Sequence, residues 1–194
     1  PNRAIGSIAM SGVYSLTVTV SGCTSAAGTT NVTVNPIPAT PVASSNSPLC
    51  SGQTLNLSST LVGGSTYAWT GPNGFTASVQ NPSLSNVTTA DAGIFSVIAT
   101  ENGCTSAAGT TTVVINSTPA TPSASSSSPD CEGQTLSLST PAVVGATYAW
   151  TGPNAFSSAL QNPTIPNVQV VNAGVYSVTV TVSGCTSIVG TTTV

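Results

Sequence analysis

Cys50-Ser-Gly-Gln-Thr-Leu-Asn-Leu-Ser58 decides how this chain is read, because it returns as Cys131-Glu-Gly-Gln-Thr-Leu-Ser-Leu-Ser139. Both copies end in a Leu-x-Leu alternation, the period-two pattern of a strand with one face buried. Working outward, Thr66-Tyr-Ala-Trp-Thr-Gly-Pro-Asn73 is matched by Thr147-Tyr-Ala-Trp-Thr-Gly-Pro-Asn154 at the same offset of 81 residues. Phe95 and Cys104 recur as Tyr176 and Cys185, and one period earlier Tyr14 and Cys23 fall into register. A fixed long period without insertions marks an array of near-identical units.

The register also divides the chain. Residues 1–35 match only the end of a repeat, 36–117 a whole one, and 118–194 a second that stops just short of its end. A fragment of about 35 residues is too small to bury a core of its own. Either the sequence is a window from a longer polypeptide, the favoured reading, or its first segment completes a domain begun by another molecule. The opening Pro1-Asn2-Arg3-Ala4-Ile5-Gly6 fits both.

Composition narrows function by exclusion. The chain holds one Lys or Arg (Arg3), no His and four acids, Asp91, Glu101, Asp130 and Glu132. Nothing neutralises phosphates, so nucleic acid is not an expected partner. No apolar run reaches the ~20 residues of a membrane-spanning helix, so membrane insertion is not expected either. General acid–base catalysis needs a positioned titratable pair, and the abundant Ser and Thr have no base to activate them. Asp91 becomes Asn172 in the next repeat, and Asp130 and Glu132 replace Leu49 and Ser51, so no acid keeps a chemical role in every unit. No catalytic residue, cofactor or metal ligand is assigned. Without Lys, Lys–Asn isopeptide cross-links are chemically impossible.

Strand signals recur within each repeat. Tyr176-Ser-Val-Thr-Val-Thr-Val182 and Tyr14-Ser-Leu-Thr-Val-Thr-Val20 alternate with β-branched residues, and turn chemistry such as Ser51-Gly52 and Asn102-Gly103 punctuates at short intervals. Strands are expected near 40–46, 54–60, 65–70, 75–79, 83–87, 94–100 and 105–115, and 81 residues later. About seven short strands per unit predict an all-β fold of two-layer sandwiches. Tyr67 lies on the same side of its strand as Trp69, so core packing is expected of it rather than exposed stacking.

These residues resemble the immunoglobulin fold. Gly52-Gln-Thr-Leu-Asn-Leu57, a Trp twelve residues later, and Asp91-Ala-Gly-Ile-Phe95, Asn172-Ala-Gly-Val-Tyr176 and Met10-Ser-Gly-Val-Tyr14 carry the resemblance. It implies Trp69 and Trp150 as the core tryptophans of strand C. It makes residues 1–35 the last two strands, F and G, of a truncated repeat. Cys-x-Gly-x-Thr, Tyr-x-Trp-Thr-Gly-Pro-Asn and Ser-Gly-Cys-Thr-Ser together are similar to the Ig-like repeats of giant surface adhesins of gliding bacteria. That likeness implies export by the type IX route and an extracellular, cell-surface location. The sequence departs from the immunoglobulin pattern where the inter-sheet cystine belongs. There it has Leu57 with Val97, and Leu138 with Val178. Leu, Val and Trp are therefore expected to close the core without a covalent clamp. Phe95 also lacks the hydroxyl of a tyrosine corner, which Tyr14 and Tyr176 keep.

On that fold the five cysteines read as disulfides of an oxidising compartment. Leu57 and Val97 would sit mid-strand on strands running the same way, with Cys50 seven residues before one and Cys104 seven after the other. The two would lie roughly 40 Å apart, against ~5.5–6 Å between bridged Cα atoms. In an end-to-end array, Cys50 would instead meet Cys185 of the following repeat, with Cys23, Cys104 and Cys131 paired outside this window. The links Asn35-Pro-Ile-Pro-Ala-Thr-Pro41 and Asn116-Ser-Thr-Pro-Ala-Thr-Pro122 hold closely spaced prolines, which should make them semi-rigid. The expected function is the shaft of a long adhesin or fibre, whose partners are neighbouring repeats or other copies in a filament. The alternative is a binding module recognising carbohydrate or protein through its loops. The loops repeat as faithfully as the strands, which favours the shaft; no ligand is identified.

Overall fold

The computed structural model describes residues 10–194. Arg3 and the rest of the opening nonapeptide, part of the segment assigned to the truncated repeat, lie outside the described residues. Among the described residues the regular structure is β-strand joined by turns and short 3-10 segments. The chain forms two compact units, and residues 36–117 contribute to both.

The second unit, Ser45–Asn56, Ser83–Gly93 and Thr112–Val194, contains a two-layer sandwich. One layer orders Ser125–Ser126, Leu136–Ser139 and Thr164–Ile165. The other orders Ser157–Ser158, Thr147–Thr151, Val175–Val182 and Cys185–Thr186, with Gly190–Thr193 also paired to Val175–Val182. Trp150 stands opposite Val178 on adjacent antiparallel strands. Leu136, Leu138, Trp150, Val168, Tyr176 and Val178 make one buried cluster. Each such side chain contributes about 1.5–3 kcal/mol by leaving water, so apolar packing fills the core between the layers with no cystine across it. The Trp150 indole N–H donates to Gln161 O at 3.1 Å, which removes the cost of burying it.

The first unit, Pro1–Ser44, Leu57–Pro82 and Ile94–Thr111, repeats this logic. Trp69 stands opposite Val97, and Leu57, Trp69 and Val97 are buried. The Tyr67 hydroxyl accepts from the Val62 N–H at 2.7 Å, and the residue is buried, so it is a core residue. Gly71 precedes the 3-10 turn Pro72–Gly74 because a Cβ there would enter the Phe95 ring, and Gly152 meets Tyr176 in the same way.

Several expected strands are shorter or broken. Tyr14–Val20 was expected as one strand; the ladder stops at Leu16 and resumes at Thr19–Val20. The Val18 N–H donates to Ser25 Oγ at 3.1 Å, as Ala99 and Val180 do to Ser106 and Ser187. In those copies the Trp-bearing strand pairs alongside and carries the strand through, and no described residue does so here. The expected strand at 105–115 divides into Cys104–Thr105, Gly109–Val113 and Ile115–Asn116. There Ser106 Oγ accepts from the Ala99 N–H at 3.0 Å and donates to Ala107 O at 2.7 Å, which turns the chain. Leu49–Cys50, outside the expected strands, is a short strand paired in parallel with Ile115–Asn116.

Candidate functional site

Among the described residues no cluster of titratable side chains stands out; the feature with chemistry is a disulfide in the second unit. Its first half is the turn after Leu49–Cys50. The Cys50 N–H donates to Gln53 Oε1 at 2.8 Å and the Gln53 N–H returns to Cys50 O at 3.1 Å. Gly52 takes φ 91° there, a conformation open to glycine, and its N–H donates to Val87 O at 2.8 Å. The second half is the two-residue hairpin between Val182 and Cys185, where Ser183 and Gly184 have φ 49° and 80°. Positive φ at both central residues is what a tight hairpin turn with native strand twist demands.

Cys50 and Cys185 are bonded, with Cα atoms 5.6 Å apart at a sequence separation of 135. Asn116 lies beside the bond. Its Nδ2 donates to Ser183 O at 3.0 Å, while its carbonyl accepts from the Ser51 N–H at 2.9 Å. Thr118 Oγ1 donates to Ser51 O at 3.1 Å. The two turns are thus held to the same short stretch of chain, and Cys185 is buried. Cys23, Cys104 and Cys131 are free. The Cys131 turn has the geometry of the Cys50 turn, with its N–H donating to Gln134 Oε1 at 2.9 Å. Sequence reasoning missed the parallel pairing and the Asn116 amide. The amide had a signal, since Asn35 and Asn116 stand one period apart at the head of each Pro-rich link.

The acids have local structural work. Asp91 Oδ2 accepts from the Thr88 N–H and hydroxyl at 2.8 and 2.9 Å, and Asn172 Oδ1 accepts from the Gln169 N–H at 2.9 Å. An amide oxygen does what the carboxylate does, so Asp and Asn exchange freely between repeats. Asp130 Oδ2 accepts from the Ser127 hydroxyl at 2.8 Å. Among the described residues no group of three or more His, Cys, Asp or Glu converges on a metal site. The Tyr14 and Tyr176 hydroxyls each donate to the backbone carbonyl four residues earlier, at 2.8 Å. Burial raises the Tyr176 phenol above its ordinary value.

A scan against protein-family models and a search of curated proteins each found no match. Solved structures do match. The chain is similar to the eight N-terminal Ig domains of Down Syndrome Cell Adhesion Molecule, at 16% identity and TM-score 0.54, covering 95% of this chain and 31% of that one. It is also similar to titin domains A168–A170 (15% identity, TM-score 0.42, 97% of this chain and 76% of that one). A third match comes from the mouse coronavirus receptor-binding domain complexed with its murine receptor (12% identity, TM-score 0.49, 77% and 96%). At these identities only the fold is shared. The chain is an all-β protein of Ig-like β-sandwich fold.

Proposed function

We propose that this chain is part of the structural shaft of a long extracellular adhesin or fibre, of the kind borne on the surface of gliding bacteria. In this reading residues 36–117 and 118–194 are successive Ig-like repeats laid end to end, and residues before 36 are the last strands of another. The observation that carries it is the Cys50–Cys185 bond. It ties the first turn of one repeat to the last hairpin of the next. Tension along the chain would pass through that covalent bond as well as through the Pro-rich link, and bending at the joint would strain it. The hydrogen bonds of Asn116 and Thr118 at the same place add stiffness. The bond agrees with an oxidising setting such as the cell exterior. With four acids, one Arg and no His, the chain has little to catalyse with.

Small-angle scattering tests this. A compact globule of this length has a radius of gyration of about 16 Å. The oxidised chain should exceed that clearly and scatter as a rod. Reductant should leave it elongated but broaden its distance distribution. A radius near the globular value would refute the shaft.

A further inference from the structure

Leu16 and Val18 are 72% and 56% exposed, and Tyr14 and Val32 are each 38% exposed. Their counterparts one period on, Phe95, Val97, Ala99 and Val113, are 0%, 0%, 0% and 1% exposed. Tyr176, Val178 and Val180, one period further, are fully buried. The pairing is the same as well, Tyr14 opposite Thr30 and Tyr176 opposite Thr192. The strands Gly12–Leu16 and Gly28–Val32 therefore present a core face, with core residues in core register and no described residue laid across it. In the two copies where that face is buried, a Leu-x-Leu strand and a Trp strand belong to the same buried set.

Cys104 supplies an independent observation in the same compact unit. Its thiol lies 3.7 Å from Asn35 O, and Asn35 Nδ2 donates to Asn102 O at 3.0 Å. Around Cys185 the matching distances are 3.9 Å to Asn116 O and 3.0 Å from Asn116 Nδ2 to Ser183 O. The hairpin turns agree too, with φ 47° and 80° at Asn102 and Gly103 against 49° and 80° at Ser183 and Gly184. Cys185 is bonded and Cys104 is free. The geometry that holds one half of a disulfide is complete at Cys104.

We propose that residues 12–34 and Cys104 form a single acceptor for a further repeat segment of the character of residues 36–81. Its Leu-x-Leu and Trp strands cover Leu16 and Val18, and its Cys-x-Gly-Gln turn brings the thiol that bonds Cys104. Two thiols become one disulfide. The two protons and two electrons pass to a disulfide oxidant such as oxidised glutathione, which leaves as two thiols. The proposal rests on the tandem-repeat reading above.

The test joins a copy of residues 36–81 directly ahead of Pro1, which restores the register, and oxidises the extended chain in a glutathione buffer. Peptide mapping without reductant should find the added cysteine on Cys104, with Cys23 and Cys131 still free. Amide exchange in residues 14–18 should slow by about tenfold or more relative to the 194-residue chain. Leu16→Asp in the extended chain should abolish that slowing. An added cysteine that stays free or bonds Cys23 or Cys131 overturns the proposal. So does unchanged exchange, or an extended chain that fails to fold, since the added segment copies one that folds at 36–81. If the Cys104 bond forms but the chain scatters as a globule, the shaft fails and the acceptor stands; a rod without the bond is the reverse.

Discussion

Replacing Cys50 and Cys185 together by Ser should destabilise the sandwich of residues 118–194 by about 2–5 kcal/mol. The magnitude comes from the loop. A bond across 135 residues removes chain entropy from the unfolded state worth about 5 kcal/mol at 25 °C. If only the last sandwich unfolds while the Cys50 turn stays folded, the closed loop roughly halves. The logarithmic dependence then leaves about 4 kcal/mol. Measured disulfides commonly deliver less than the chain-entropy figure, which sets the lower edge near 2 kcal/mol, or ~10 °C in midpoint for a domain of this size. The readout is native-state hydrogen exchange of the Val175–Val182 amides across a urea series, which reports that sandwich alone. The parent treated with reductant should match the double variant. A shift below about 0.5 kcal/mol, with the bond verified in the parent by peptide mapping, would show that the staple constrains no unfolded chain. The reasoning would then be wrong.

Gly152→Ala should cost about 1–3 kcal/mol in urea unfolding, because the new Cβ enters the Tyr176 ring and the packed core has nowhere to shift it; a neutral result would mean that ring moves freely. Tyr176→Phe should cost about 1 kcal/mol through loss of the hydroxyl bond to Asn172 O, with apolar burial kept. Calorimetry that shows no change would demote that bond. Burial raises the Tyr176 pKa above its ordinary 10.0, so the unfolded chain releases this proton first. Stability should be constant below pH 10 in this respect and fall as pH rises from there towards the raised value, less steeply in Tyr176→Phe, as thermal melts between pH 9 and 12 would reveal.

The architecture was legible because period and alternation agree. Leu57, Trp69, Val97 and their counterparts Leu138, Trp150 and Val178 are apolar, alternate along strands, and are buried. Strand ends were less legible. Ser25, Ser106 and Ser187 each latch a backbone N–H seven residues away with a hydroxyl, at 3.1, 3.0 and 3.0 Å. In a Ser-rich sequence such a serine looks like any other polar turn residue. The parallel pairing of Leu49–Cys50 was hidden for another reason, since two residues are too few for alternation to register. Glycines gave half their meaning away. Gly52 sits in a recognisable turn, but Gly71 and Gly152 owe their identity to an aromatic ring on another strand.

The near absence of charge and the density of hydroxyl contacts belong to one physical solution. Several cross-strand pairs here are Thr–Thr and Ser–Ser contacts. Thr19 meets Thr24 at 2.8 Å, Thr181 meets Thr186 at 2.9 Å, and Ser44 meets Ser58 and Ser125 meets Ser139 at 2.7 Å. Exposed ion pairs bring about 0–1 kcal/mol and are screened by salt. A hydroxyl pair has a similar worth, keeps it at any ionic strength, and needs a short side chain with little rotamer entropy to lose. In the proposed shaft, neutrality also removes a cumulative cost. Like charges repeated every 81 residues would add repulsion along the whole length. At the joints of that proposed shaft, covalent chemistry takes over what charge does not do, in keeping with cysteines, and not acids, at the same position in every repeat.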